Sequence, residues 1–190
     1  MNQNSKSIYY PPGGILIWFL ILLEIFTFLG AIMVFLHYRK NALAEFKQAQ
    51  AFLNPLVGTI NTIVLITSGY FMANSLHQLK TNDNKKAARS VQIALFFGIV
   101  FLLIKSTEFY GKINHGIGFT ENTFFTFYWL MTGFHYIHVL FGVGLLAYMQ
   151  HAISKNKYNS TNTFDVESSA TYWHLCDLIW ILIFPVLYLL

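Results

Sequence analysis

A single cysteine, Cys176, stands in the whole chain, so no internal disulfide and no cluster of thiolate ligands can form; inside an apolar run it reads as a small buried side chain. Charge is equally scarce. Asp, Glu, Lys and Arg make up 11% of the residues, where a water-soluble domain carries about a quarter. The net charge of +4 is small and its lysines are scattered, which argues against a nucleic-acid partner. No repeat, low-complexity tract or linker divides the sequence, and residues 1–190 read as a single domain.

What fills the chain instead is apolar: 55% of it is hydrophobic and 18% aromatic. Five segments, 14–36, 55–76, 91–110, 124–150 and 170–190, reach the roughly 20 residues that a bilayer demands of a helix. The fold class is therefore all-α, a polytopic membrane protein with five transmembrane helices joined by short polar loops. A polar stretch ending in Pro11-Pro12-Gly13-Gly14 precedes the first segment. That segment lacks a small-residue cleavage site and exceeds a signal-peptide core, so it reads as a retained span.

Basic residues orient the bundle. With the N-terminus inside, the inner side holds Lys6, Lys80, Lys85, Lys86, Arg89, Lys155 and Lys157, seven in all, against four outside: Arg39, Lys40, Lys47 and Lys112. The excess favours N-in and C-out. Trp129 and Trp173 fall near span ends, where indoles prefer the interface, and Trp180 falls mid-span as interior packing.

The segment 124–150 organises the rest. It carries His135 and His138 in its interior, three residues apart, with Gly142 four further on, a stripe that lipid would not reward and a neighbouring helix would. The second span has a stripe of its own. Gly58, Asn61, Thr62, Leu65, Ser68, Gly69, Met72 and Ser75 step by three and four residues along one face, suited to close helix packing.

Glu24, Lys105, Glu108 and Asp177 lie within spans, where an unpaired charge costs about 2.5–3.5 kcal/mol at mid-bilayer. Lys105 and Glu108 can pair along one helix. By depth, Asp177 comes level with His138, a cross-helix pair, while His174 sits lower on the same face as Asp177. These groups form a ladder and not one knot, so no metal centre is expected of them. Three readings stand beside one another: interhelical bonding, a proton or ion path, and a metal-dependent membrane enzyme. Clustered HxxHH boxes of the membrane di-iron type are missing from the sequence.

With these residues laid out, the chain resembles subunit III of the haem-copper respiratory oxidases in its five-helix bacterial form. Thr132-Gly133-Phe134-His135-Tyr136-Ile137-His138-Val139 is similar to the family's TGFHGxHV. Tyr172-Trp173-His174-Leu175-Cys176-Asp177-Leu178-Ile179-Trp180 resembles its YWHFVDxxW, with Glu167 where an acidic residue precedes it. Thr107-Glu108-Phe109-Tyr110 looks like its SEY-type helix end, Glu24 like its intramembrane glutamate, and Asn61-Thr62 with Ser68-Gly69 like its NTxxLxxSG. Tyr136 replaces a usual glycine, and Leu23 a usual serine.

The resemblance implies a noncatalytic subunit of the bacterial inner membrane, packed beside subunit I (and subunit II), supporting proton uptake and the durability of turnover. It implies no catalytic, metal or cofactor-binding residue in this chain, with haem and copper held by the partner and phospholipid as an expected ligand among membrane lipids. A branch of the family accompanies nitric oxide reductases, and a free-standing proton or ion carrier is the alternative from another class.

Overall fold

The computed structural model describes Pro11 and residues 13–190. The polar N-terminal stretch and the contribution of Lys6 to the charge count lie outside the described residues. Six helices follow one another: α1 (Ile15–Asn41), α2 (Leu43–Gln50), α3 (Pro55–Lys80), α4 (Asn84–Asn114), α5 (Thr123–Ser154) and α6 (Phe164–Tyr188). All but α2 are long and apolar enough to cross a membrane.

These five run 25 to 32 residues, about 37–48 Å at the helical rise, and so overhang a hydrocarbon core of about 30 Å. Each therefore outlasts its apolar run, because polar end turns stay helical outside the lipid. Asparagine or aspartate starts three of them. Asn54 accepts from the backbone N–H of Leu56 and Val57, Asp83 from Lys86, and Asn122 from Phe125, the preferred chemistry of a helix N-cap. Between α3 and α4 the turn is only three residues, with Asn82 in the left-handed region at φ 61.

The stretch 37–54, expected as a loop, contains α2. Its reason is aromatic packing: Phe46 is buried with its ring 5.3 Å from Phe35 and 5.7 Å from Phe124. This short helix lies across the end of the bundle and ties α1 to α5.

Neighbours in sequence are neighbours in space, with α3 on α4 and α4 on α5, while α6 packs between α1, α3 and α5. The α3 stripe faces inward. Gly58, Asn61, Ser68 and Gly69 are buried on that helix, and Thr62 partly so. A β-carbon at Gly58 would stand 2.6 Å from the Phe184 ring of α6, so glycine there lets the two helices close up.

Trp173 keys α6 into three other helices. Its ring lies between Gly98 of α4 and Gly142 of α5, and its indole N–H donates to Ser68 Oγ at 3.1 Å. Ser68 in turn donates to Ala94 O across to α4 at 2.6 Å. Trp173 is fully buried, which corrects its reading as an interfacial anchor. Trp180 is interior as expected, donating to Thr62 Oγ1 at 2.9 Å.

Candidate functional site

Polar side chains inside the bundle gather in three places. The largest lies where α4 and α6 end and α5 begins. Lys105 Nζ donates to Glu108 Oε2 at 3.0 Å, to Tyr188 Oη at 2.6 Å and to Tyr128 Oη at 3.3 Å. Both tyrosines pass their own protons on to Glu108 Oε1, at 2.8 and 2.7 Å. Lys112 adds a second ammonium 3.4 Å from the same oxygen.

Around Lys105 the rings of Phe109, Tyr128, Trp180 and Tyr188 stand 5.0 to 5.2 Å away, so aromatic faces complete a cage that carboxylate and hydroxyls begin. Glu108 therefore joins α4 to α5 through Tyr128 and to α6 through Tyr188. Of the ladder's members, Lys105 and Glu108 are the two that tie the last three helices together by hydrogen bonds among the described residues.

His135 and His138 part company. Three residues along a helix turn the chain by about 300°, which leaves two rings about 60° apart, enough to meet different neighbours. His135 is fully buried, its ring stacked 5.3 Å from Trp180 and edge-on to Phe101 of α4 at 5.7 Å. Neither of its nitrogens finds a hydrogen-bond partner within the described residues.

His138 turns to α1. Its Nε2 lies 3.2 Å from Glu24 Oε1, and its Nδ1 lies 2.8 Å from Phe134 O. A carbonyl only accepts, so Nδ1 carries a proton there. The contact with Glu24 then needs a second proton, on the imidazole or on the carboxyl, and the pair is neutral as a whole either way. This corrects the expected pairing of His138 with Asp177. Depth brought those two level, but His138 faces away from α6.

Asp177 pairs within its own helix, Oδ2 to His174 Nδ1 at 3.2 Å. It lies against α3 at Gly69, where a β-carbon would fall 2.0 Å from Oδ2. Only glycine admits the carboxylate. His174 is half-exposed and Asp177 buried, so the pair reaches from the α3 contact to the outer surface of α6.

Two further contacts were not legible in advance. Tyr136, in place of the family's glycine, sets its hydroxyl 2.9 Å from Ser106 Oγ and so bonds α5 to α4. Glu167 pairs with Lys80 at 2.8 Å and accepts from Thr163 Oγ1 at 3.0 Å, tying the start of α6 to the end of α3. The acidic residue before the α6 motif was visible, but its cation lies 87 residues away in sequence (167 − 80).

Helical spans whose buried polar groups bond to one another across helices define an integral membrane protein of the bundle type. The chain belongs to the cytochrome c oxidase subunit III family, whose model matches residues 13–190. It is similar to cytochrome c oxidase subunit 3 of Synechocystis sp., at 32% identity over 164 residues, 86% of this chain and 69% of the relative. The Sus scrofa protein of that name is 32% identical over 138 residues, 72% of this chain and 51% of the relative. That of Osphranter robustus is 29% identical over 175 residues, 87% of this chain and 64% of the relative. The chain thus spans between half and about two thirds of the length of these curated relatives.

Proposed function

We propose that the chain is the noncatalytic membrane subunit III of a bacterial haem-copper terminal oxidase, bracing the catalytic subunit and supporting its proton uptake. The observation that carries this reading is the family match over residues 13–190 together with the use made of the motif residues. Glu24, Glu108, His138, Trp173 and Asp177 all hold helices or their contacts in place. Polar groups spent in this way on tying helices together suit a scaffold, with His135, whose nitrogens find no partner among the described residues, the exception.

Two finer parts belong to the same proposal. The chain holds no redox centre of its own, and haem and copper sit in the partner. In support, the candidate ligands are spread over separate pairs: His138 with Glu24, and His174 with Asp177. The N-terminus faces the cytoplasm and α6 ends in the periplasm, on the strength of the seven-to-four excess of basic residues.

The inward α3 stripe and Glu24 are both used within this chain, so partner contact falls to other faces. The face of α1 carrying Leu16, Phe19, Leu22, Phe26 and Met33 is exposed along its length. Affinity purification of the full chain from its native membrane in mild detergent tests the reading. The expected result is co-elution of a large haem-bearing chain and a copper-bearing one. Elution of this chain alone, or with transport proteins only, overturns it. Reporter fusions in the turn at residues 81–83 and in the loop at 115–122 should give opposite signals, the first cytoplasmic.

A further inference from the structure

His135 is fully buried near the middle of α5, and neither ring nitrogen has a hydrogen-bond partner among the described residues. With no carboxylate bonded to it, the buried imidazole is neutral and carries one N–H and one bare lone pair. The two nitrogens pose different problems. An aromatic face can take an N–H weakly, and His135 has Phe101 perpendicular at 5.7 Å and Trp180 stacked at 5.3 Å. A ring face has no proton to give to the lone pair. That nitrogen needs a donor.

The donors around it are spent within the chain. Trp180 gives its indole N–H to Thr62 Oγ1 at 2.9 Å. Lys105, whose ammonium lies 5.1 Å over the same indole, gives its three protons to Glu108, Tyr128 and Tyr188. Thr132, three residues before His135, gives its hydroxyl proton to Tyr128 O at 2.7 Å.

Thr132 still has lone pairs on Oγ1 that can accept. Helix positions three apart hold their β-carbons about 5–6 Å from one another, the span of a single bridging molecule. The bridge has to donate twice, once to the His135 lone pair and once to Thr132 Oγ1, and be small enough to sit among rings. Water does both, and buried water in proteins serves polar groups left in this state.

We infer that His135 holds a resident water molecule in the core between α4, α5 and α6, bridged to Thr132 Oγ1. Tyr128, Thr132 and His135 step by four and three residues along the buried face of α5. Tyr128 bonds Glu108 at 2.8 Å. The water therefore extends that polar cluster inward, two turns along α5, to the middle of the span. Nothing in this depends on a partner subunit.

The test uses the full chain in lipid bilayers, with nitrogen-15 in its histidines and tryptophans. Water-edited solid-state NMR measures how fast magnetisation passes from water protons to each ring nitrogen. Trp173 Nε1, fully buried and bonded to Ser68 Oγ, is the dry reference in the same sample. The lone-pair nitrogen of His135 should be shifted from the position of a free imine nitrogen. Its transfer should be at least about twofold faster than at Trp173 Nε1, because the water lies at hydrogen-bond distance.

His135→Phe identifies the signal by removing it. Thr132→Val deletes the second anchor at nearly constant shape and should bring the transfer down to the Trp173 rate. Thr132→Ser keeps the hydroxyl and should keep the wild-type rate. The wild-type spectrum decides wet against dry without any variant. A lone-pair nitrogen at the free position with transfer no faster than Trp173 overturns the inference, and so does a Thr132→Val chain as wet as wild type.

Discussion

Replacing Gly142 by alanine examines how α6 is locked into the bundle. A β-carbon at Gly142 would stand 2.7 Å from Trp173 Cε3 and 2.8 Å from Cζ3, inside the roughly 3.5–4.0 Å at which carbons rest. The indole has nowhere to retreat. On its far side Gly98 already lies so close that a β-carbon there would meet Cη2 at 2.8 Å, and the N–H is held by Ser68 at 3.1 Å.

Forcing an extra methyl into such packing costs about 1–3 kcal/mol. Alanine also gains about 1 kcal/mol over glycine as a helix former, which would mask part of the loss. Gly144 supplies the reference, since it lies on the same helix with no atom within 4 Å of its β-carbon position. Gly142→Ala should therefore be less stable than Gly144→Ala by about 1–3 kcal/mol, the propensity term cancelling. Reversible unfolding of the full chain in bicelles, measured by steric trapping, reads the difference directly. In a Trp173→Phe background the gap should shrink, because the ring carbons that collide are gone. Two variants equal within about 0.5 kcal/mol, the scatter of innocuous changes, would refute the lock.

The buried ion cluster gives the next expectation. Glu108→Ala strands two lysines and removes the acceptor of two tyrosines, and should cost about 3–5 kcal/mol in the same unfolding assay. Lys105→Met leaves Glu108 paired with Lys112 and should cost less; equal losses would count against the sharing. For the α1–α5 link, His138→Leu strands the buried Glu24 carboxyl, whereas Glu24→Gln keeps a polar partner and should lose only the 0.6 to about 1.7 kcal/mol of a membrane hydrogen bond. Nitrogen-15 spectra of His138 should move with Glu24→Gln and stay put with Asp177→Asn, and the reverse would restore the pairing with Asp177. Outside the spans, Asp83 is held below the usual carboxylate range by its hydrogen bonds with Lys86. A depressed folded value stabilises above the unfolded value and is lost as pH falls through the folded one. Amide protection in the first turn of α4 should thus decline in acid in wild type and be flat with pH in Asp83→Asn.

The spans were legible because a bilayer sets a length and a polarity that few soluble segments imitate. The small-residue face of α3 was legible for the same reason: period and residue size fix which side can admit a neighbour. Lys105 with Glu108 followed from spacing alone. Partners on other helices did not. Depth along a span can be counted in residues, but the direction a side chain takes depends on how each helix is rotated against the next, and 60° sent His138 to α1. Trp173 was misplaced for a kindred reason, because proximity to a span end does not tell an interfacial ring from one slotted between Gly98 and Gly142. Helix α2 escaped notice because eight residues carry too little period, and its stability comes from Phe46 meeting rings of α1 and α5.

Where the haem goes decides the matter most directly. The tagged full chain is purified from its native membrane in mild detergent, and a reduced-minus-oxidised optical spectrum is taken before and after the complex is dissociated in harsher detergent. The expected result is a haem spectrum in the intact eluate that leaves with the larger chain, while the tagged chain elutes colourless and folded. A stoichiometric haem or copper remaining on the tagged chain, or an eluate with no haem at any stage, would contradict a noncatalytic subunit of a haem-copper oxidase.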